Sequence, residues 1–368
     1  MKFKKTVLLV FGTRPEAIKL VPLIKRLERS QIIDLKICIS AQHREMLDSV
    51  LNEYGVRADF DLDLMRERQT LDHITSGVIS KVGEIYDTCK PDIVLVHGDT
   101  TTAFASALAA FYRKIPIGHI EAGLRSKNIL SPYPEEFNRR AISLLASYHF
   151  SPTPMASETL IAESVGKNSV FTVGNTAIDM LIHNLKDDCI GDIKRSVSGR
   201  RYILITVHRR EHGNDQLSDI FSALRRICLT YSDTAAIYPL HKNPILRQKA
   251  AFALGGINNL LLCEPLATKE FHSLLKDSYL VLTDSGGIQE EAAFLGKPTL
   301  VLRDTTERPE GIALGVLRLV GTDPDHIFDV ASRLLESKEE YDKAARPTNV
   351  FGDGHASERI TEIIEKLS

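Results

Sequence analysis

The sequence predicts an α/β protein made of two doubly wound, Rossmann-like domains facing each other across a cleft. Three observations carry this. Short, nearly continuous apolar runs alternate with segments of helical periodicity along the chain, and strands buried on both faces of a parallel sheet have that character. The helical segments are long enough to serve as crossovers, so consecutive strands form βαβ units. The alternation runs through 1–175 and again through 176–350, and 368 residues suffice for two domains.

In the first half, 6–11 is a buried strand, and 15–29 carries Ala17, Ile18, Leu20, Val21, Leu23, Ile24 and Leu27 at helical spacing. Strand 34–40 and helix 43–54 follow, then the long amphipathic helix 71–89. Strand 92–96, the alanine-rich helix 101–112, strand 115–120 and helix 134–145 continue the pattern. A strand at 148–150 and a helix over 154–165 close the half. The hinge is placed between Val173 and Asp187, before a polar stretch, 187–201. In the second half the strands are 202–207, 235–239, 260–263, 279–282 and 299–302. Helices at 215–231, 245–254, 269–276 and 290–295 separate them, and a last helix covers 357–367.

Composition narrows the function classes. The chain is 43% hydrophobic and 26% charged, typical of a globular protein. Its net charge of −2 gives no field for nucleic acid or an acidic membrane surface. A small anionic ligand would need a local basic site. The five cysteines are scattered without CxxC spacing, which points to a reducing compartment and away from disulfides or a zinc site. The basic N-terminus and the apolar run 6–11 end in Gly12-Thr13-Arg14-Pro15-Glu16, not a cleavage site, so the run reads as a first strand. No apolar stretch is long enough to span a bilayer.

The unusual polar motifs fall at the carboxyl ends of strands, where such folds bind ligands. Thr283-Asp284-Ser285-Gly286-Gly287 joins a strand to a helix. Bare N–H groups at that helix start, with glycines that let a phosphate approach, make an anion cradle. Glu291, one turn on, could reach a ribose hydroxyl. An ordinary capped turn has the same sequence signature. Arg14 and Lys19 open the first helix and suit a diphosphate, or form only a solvated basic helix start. Asp99 in His97-Gly98-Asp99-Thr100 and Glu121 in His119-Ile120-Glu121 end neighbouring strands. Two close carboxylates there would push one pKa up and give an acid and a base; Asp99 could equally be an N-cap. Glu135 and Glu136 suit a helix N-terminus on electrostatic grounds alone. His208-Arg209-Arg210-Glu211-His212 formally fits a zinc-peptidase pattern, but it lies at a strand end without a third ligand. It reads better as a donor-rich loop facing phosphate, as does His241-Lys242-Asn243. Arg308 and Glu307 could reach a phosphate or sugar, or pair with each other.

Taken together, these motifs resemble the non-hydrolysing bacterial UDP-N-acetylglucosamine 2-epimerases. The resemblance runs through GTRPEAIK at 12–19, AQHREML at 41–47, VHGDTTT at 96–102, GHIEAGLRS at 118–126, PYPEE at 132–136, HRRE at 208–211, TDSGGIQEE at 283–291 and RDTTERPEG at 303–311. It implies a GT-B-like fold, with helix 351–368 returning to the first domain. It implies interconversion of UDP-GlcNAc and UDP-ManNAc in a cytoplasmic homodimer that supplies ManNAc units to surface polysaccharide. No cofactor, metal, nucleic acid or membrane is implied. By resemblance, Arg14, Lys19 and His208 belong near the diphosphate, with His208 among the catalytic residues. Asp99, Glu121 and Glu135 are the catalytic acids. Ser285, Gly286 and Gly287 hold phosphate, Glu291 the ribose, and Phe271 stacks on uracil. Arg308 joins the sugar-phosphate pocket. Leu266 stands where some members have glutamine, so any uracil contact there runs through its backbone. Gln42, Arg68, Glu135, Arg209 and His241 match an allosteric UDP-GlcNAc site, and Glu45 stands where some members have a second glutamine.

The C2 proton of the sugar has no adjacent carbonyl, whereas the diphosphate at C1 is a good leaving group. Elimination of UDP to 2-acetamidoglucal, followed by re-addition on the opposite face, is therefore the expected route. A hydrolysing 2-epimerase, a GT-B glycosyltransferase and a non-enzymatic UDP-sugar-binding regulator are the alternatives.

Overall fold

The structure is a computed structural model that describes residues 4–41, 44–65, 70–186, 189, 191–208 and 214–367. It divides into two units, Met1–Met180 with Phe351–Ser368, and Leu181–Val350.

In the first unit the chain runs β1 (Lys5–Phe11), α1 (Arg14–Leu27), β2 (Ile33–Ile39), α2 (Arg44–Glu53), β3 (Phe60–Asp61), α3 (Leu71–Cys89), β4 (Ile93–His97) and α4 (Thr101–Tyr112). It continues through β5 (Ile117–Ile120), α5 (Glu135–Leu145), β6 (Tyr148–Ser151), α6 (Pro154–Ala162), β7 (Val170–Thr172) and α7 (Thr176–Asn184). The strands pair in parallel in the order β3-β2-β1-β4-β5-β6-β7. Each face of β1 is buried: Val7, Leu9 and Phe11 enter one core, Leu8 and Val10 the other. This two-sided burial is why the strand is apolar at successive positions rather than alternate ones. Helix α7 occupies the segment expected to be a hinge, and the division between units falls inside it.

The second unit holds α8 (Asp192–Ser196), β8 (Tyr202–Thr206), α9 (Asn214–Thr230), β9 (Ala235–Pro239), α10 (Pro244–Leu254), β10 (Leu260–Cys263), α11 (Thr268–Asp277) and β11 (Leu280–Thr283). It ends with α12 (Gly286–Phe294), β12 (Thr299–Val301), α13 (Pro309–Ala313), β13 (Leu317–Leu319), α14 (Pro324–Glu336) and α15 (Lys338–Ala344). Its parallel sheet has the order β10-β9-β8-β11-β12-β13. Ile203 and Ile205 of β8 face one core, Tyr202 and Leu204 the other.

The last helix, α16 (Ala356–Lys366), belongs to the first unit. Ile360 and Ile364 join the core that contains Leu20 and Ile24 of α1. Asp179 caps its start, accepting from the backbone N–H of Ala356 at 3.2 Å and Ser357 at 2.8 Å. No helix among the described residues is long and apolar enough to cross a membrane.

In each sheet the connection reverses direction once, between β1 and β4 and between β8 and β11. These are the switch points beyond which open α/β sheets bind ligands.

Candidate active site

Beyond the switch point of the first sheet lie two turns, Gly12–Thr13 after β1 and Gly98–Thr100 after β4. Arg14 is the first residue of α1, half-buried, and burial lowers its pKa from the ordinary arginine value. Lys19 sits one turn further along. Its ammonium contacts the Glu121 carboxylate at 2.5 Å.

Glu121 follows β5 with φ of 63°, a left-handed conformation that non-glycine residues adopt at a cost of about 1–3 kcal/mol. The surrounding structure holds it there. Its backbone neighbours are fixed by bonds from Gly98 N–H to Ile120 O and from Ala122 N–H to Phe150 O. Its Oε2 accepts from Lys19 and from Asn175 Nδ2 at 3.3 Å. His97 Nε2 lies 3.4 Å from the same oxygen. His97 is buried, and burial pushes its pKa down to about 4, only partly offset by Glu121. It is therefore neutral near pH 7, and Lys19 is the positive partner in this cluster. His119 is likewise neutral, lowered to about 3 by burial, and its Nε2 lies 2.7 Å from Gly98 O, bracing the turn that bears Asp99.

Asp99 pairs with Arg139 of α5, whose Nε donates to its Oδ2 at 3.1 Å and whose Nη2 makes a second, closer contact. Arg139 Nη1 also reaches Glu136 Oε2 at 3.1 Å. Glu136 is fully buried and accepts from Arg140 at 2.8 Å and from the backbone N–H of Ser126 at 3.1 Å. Glu136 thus does more than favour a helix dipole; through Arg139 it sets where Asp99 points. Glu135 is the first residue of α5.

Asp99 and Glu121 both lie near enough to act on His97. Lys19 pairs with Glu121 and Arg139 with Asp99. Glu16, on the first turn of α1, is 3% exposed, and burial raises its pKa to about 7. An unfolded chain ionises this group from the ordinary 4.5 upward, while the folded chain keeps the proton until about 7. The associated stability is therefore complete below 4.5 and lost as the pH rises to 7, by about 3 kcal/mol. Denaturant unfolding at pH 5 and pH 8 measures this slope, and Glu16→Gln is expected to flatten it.

Beyond the switch point of the second sheet, Asp284 is fully buried between β11 and α12. Its carboxylate accepts from the His208 backbone N–H at 2.8 Å and lies 3.3 Å from His208 Nδ1. This orients a ring that is otherwise exposed. The His208 and His241 rings stack at 5.8 Å. Ser285 is the N-cap of α12, its side chain makes no capping bond, and Gly286 and Gly287 fill the first two helical positions. Their N–H groups are among those a helix leaves without intrahelical acceptors. Ser285 N–H is already taken by Thr283 Oγ1 at 2.9 Å.

Glu291 lies on the second turn of α12, 3.4 Å from His272 Nε2, whose Nδ1 faces Asn184 Nδ2 at 3.1 Å. Leu266 and Phe271 are half-buried and pack with Ile288 against one core. Arg308, expected either to reach a phosphate or sugar or to pair with Glu307, is buried and makes that pair. Its Nε contacts Glu290 at 2.7 Å and its Nη1 contacts Glu307 at 3.3 Å, while Arg303 holds Glu307 at 3.0 Å. A Cβ at Gly286 would stand 2.6 Å from Arg308 Nη1, so glycine is required for the guanidinium to lie against this turn.

Glu45 is exposed on the first turn of α2 and His241 is exposed after β9. Gln42, Arg68, Arg209 and residues 210–213 lie outside the described residues. Among the described residues no cluster of histidine, cysteine or carboxylate side chains has the form of a metal site. Glu16, His97, Arg139, Asn175, His272 and Asp284 are residues at or near the site whose roles the sequence does not assign. A pair of polar residues at two strand ends adjacent in the sheet is the signal that could have found His97 and Asp284.

The comparisons with known proteins agree with the motifs. Residues 25–365 match the family model described as UDP-N-acetylglucosamine 2-epimerase. The chain is 48% identical over 359 residues to the UDP-N-acetylglucosamine 2-epimerase of Bacillus subtilis, covering 98% of this chain and 94% of the relative. It is 46% identical over 368 residues to that of Neisseria meningitidis, covering 98% and 99%. The crystal structure of UDP-GlcNAc 2-epimerase from Neisseria meningitidis bound to UDP-GlcNAc superposes with a TM-score of 0.94 at 45% identity, covering 98% of this chain and 100% of that one. These near full-length matches, with the switch-point residues described above, show that the chain belongs to the UDP-N-acetylglucosamine 2-epimerase family.

Proposed function

We propose that the protein interconverts UDP-GlcNAc and UDP-ManNAc by inverting C2, without hydrolysis and without a cofactor. The observation that carries this reading is the content of the two switch points. One holds carboxylates with ordered partners, Asp99 and Glu121, and the other an N-terminal helix turn of serine and glycines. The first suits proton transfer and the second a phosphate.

In this reading a carboxylate takes the C2 proton, the electron pair forms the C1–C2 double bond, and the C1–O bond breaks with its pair leaving on UDP. A proton delivered to the opposite face of C2 and re-addition of the UDP oxygen to C1 give the epimer. Asp99, Glu121 and Glu135 carry the proton, a contribution of roughly 100- to 10,000-fold. Arg14, Lys19, His208 and the Ser285-Gly286-Gly287 backbone stabilise charge developing on the diphosphate. Glu291 holds the ribose, and Phe271, with the backbone at Leu266, the uracil. Asp284 fixes the His208 ring, and His272 fixes the Glu291 carboxylate. Arg308 acts from beneath the phosphate turn. Gly286→Ala is accordingly expected to displace Arg308 and weaken UDP binding at least tenfold, read by calorimetry with UDP.

The protein works as a cytoplasmic homodimer supplying ManNAc units for surface polysaccharide, with a second UDP-GlcNAc as allosteric activator near Gln42, Glu45, Arg68, Glu135, Arg209 and His241. Support for the dimer comes from α4 and α5, which share an edge-to-face contact of Phe104 and Phe137 at 5.7 Å. One helical repeat on, Phe111 and Leu144 are exposed, Leu144 by 83%. Sedimentation of the full chain tests this.

The experiment for the reaction supplies the pure protein with UDP-GlcNAc alone and follows products by NMR. A plateau mixture with UDP-ManNAc is expected. Free UDP with ManNAc would establish a hydrolase instead, and no change would leave a transferase or a regulator.

A further inference from the structure

Glu16 is at the third position of α1, where a glutamate ordinarily completes a capping box at the protein surface. Here the carboxylate is buried and does more. Oε2 accepts from Gly12 N–H at 3.1 Å, Thr13 N–H at 2.9 Å and the Thr13 hydroxyl at 2.8 Å. Oε1 bonds at 3.0 Å to the hydroxyl of Thr100, a residue 84 positions away in the chain. Thr100 in turn caps α4, accepting from Ala103 N–H at 3.0 Å. A second bridge lies alongside, between the hydroxyls of Ser40 after β2 and Thr102, at 2.8 Å. A Cβ on Gly12 would stand 2.0 Å from Ser40 Oγ and 2.7 Å from Thr102 Oγ1. The turn after β1 is therefore pressed against the Ser40–Thr102 bridge, with no room for a side chain.

We propose that Glu16 is a positioning residue whose carboxylate fastens the turn carrying Arg14 to the turn carrying Asp99, so that the two groups keep one separation. Arg14 is two residues from Glu16, and Asp99 adjoins Thr100. The link survives a change of protonation. When Glu16 is ionised the Thr100 hydroxyl donates to it; when Glu16 is protonated the roles reverse and the same two oxygens stay bonded. A local capping box would leave the second turn untouched. The kinetic consequence rests on the proposed epimerisation; the mechanical link does not.

The test compares wild type, Thr100→Val, Thr100→Ser and Glu16→Gln in the full chain. Thr100→Val removes the linking hydroxyl and leaves the Thr13–Glu16 box whole. Thr100→Ser keeps the hydroxyl, and Glu16→Gln can still bond to Thr100 through its amide. By hydrogen exchange, the Gly12 and Thr13 amides of Thr100→Val are expected to exchange at least tenfold faster, with both conservative variants close to wild type. Faster exchange confined to 100–103 would show only a lost helix cap and overturn the link. By kinetics, Thr100→Val is expected to lose about tenfold in kcat with KM for UDP-GlcNAc little changed, and the conservative variants to stay within about threefold. An unchanged kcat in a Thr100→Val protein whose amides have loosened would overturn the positioning role. Failure of wild type to convert UDP-GlcNAc would refute the proposed function and leave the exchange result standing.

Discussion

Glu121→Gln is expected to lower turnover of UDP-GlcNAc by about 100- to 10,000-fold while the protein stays folded and binds UDP. The substitution keeps the shape of the side chain. An amide oxygen can still accept from Lys19 and Asn175, which now approach Oε2 at 2.5 and 3.3 Å. What the amide cannot do is take up a proton. The left-handed backbone at this residue, φ 63°, depends on its neighbours in β5 and β6 and is unaltered by the change. The uracil, ribose and phosphate-turn contacts are assigned to Phe271, Glu291 and Ser285–Gly287, and the amide still accepts from Lys19, so calorimetry with UDP should give a value close to wild type. Turnover by NMR and a thermal melt complete the measurement. Activity within a few-fold of wild type would remove Glu121 from the proton-carrying groups.

Arg139→Ala is expected to cost about 3–5 kcal/mol of stability, the usual penalty for removing one partner of a buried ion pair. The guanidinium side chain is 7% exposed and lies between Asp99 and Glu136, the latter fully buried. Without it Glu136 keeps Arg140, which is itself 39% exposed. The loss corresponds to a Tm decrease on the order of 10 °C, measured by calorimetry. Turnover should fall as well, because Asp99 loses the two contacts that orient it. Arg139→Lys retains charge but not the planar fork, so it should recover part of the stability and less of the activity. A melt unchanged by Arg139→Ala would show that Asp99 and Glu136 are adequately solvated without their cation.

Much of this architecture is legible in the sequence because parallel strands buried on both faces leave apolar runs, and crossover helices leave a 3.6-residue period. Helix 71–89 and strand 260–263 are found at their expected limits. The edge strands β3 and β7 are only two and three residues long, too short to carry a period. The four elements between 303 and 356, α13, β13, α14 and α15, are additions to the expected set. Of these, α14 does carry its own signals: Asp323 as N-cap, Pro324 at the first position, and Ile327, Val330, Ala331, Leu334 and Leu335 on one buried face. At the site, the strand-end motifs place Asp99, Glu121 and Ser285 at the switch points. Which residues these pair with does not follow from the motifs. Arg139, Lys19 and Asn175 come from segments 40, 102 and 54 residues distant. Whether a carboxylate meets a cation, as Asp99 does, or is buried among neutral donors, as Glu16 is, is decided by packing between such segments.

In the proposed epimerisation the C2 proton leaves the sugar and a proton returns from solvent-exchangeable groups. Running the reaction on UDP-GlcNAc in deuterated water and following C2 by NMR tests it directly. Deuterium is expected at C2 of the UDP-ManNAc formed, and in time at C2 of the remaining UDP-GlcNAc, with no free ManNAc. UDP-ManNAc that keeps its original hydrogen at C2 would contradict it.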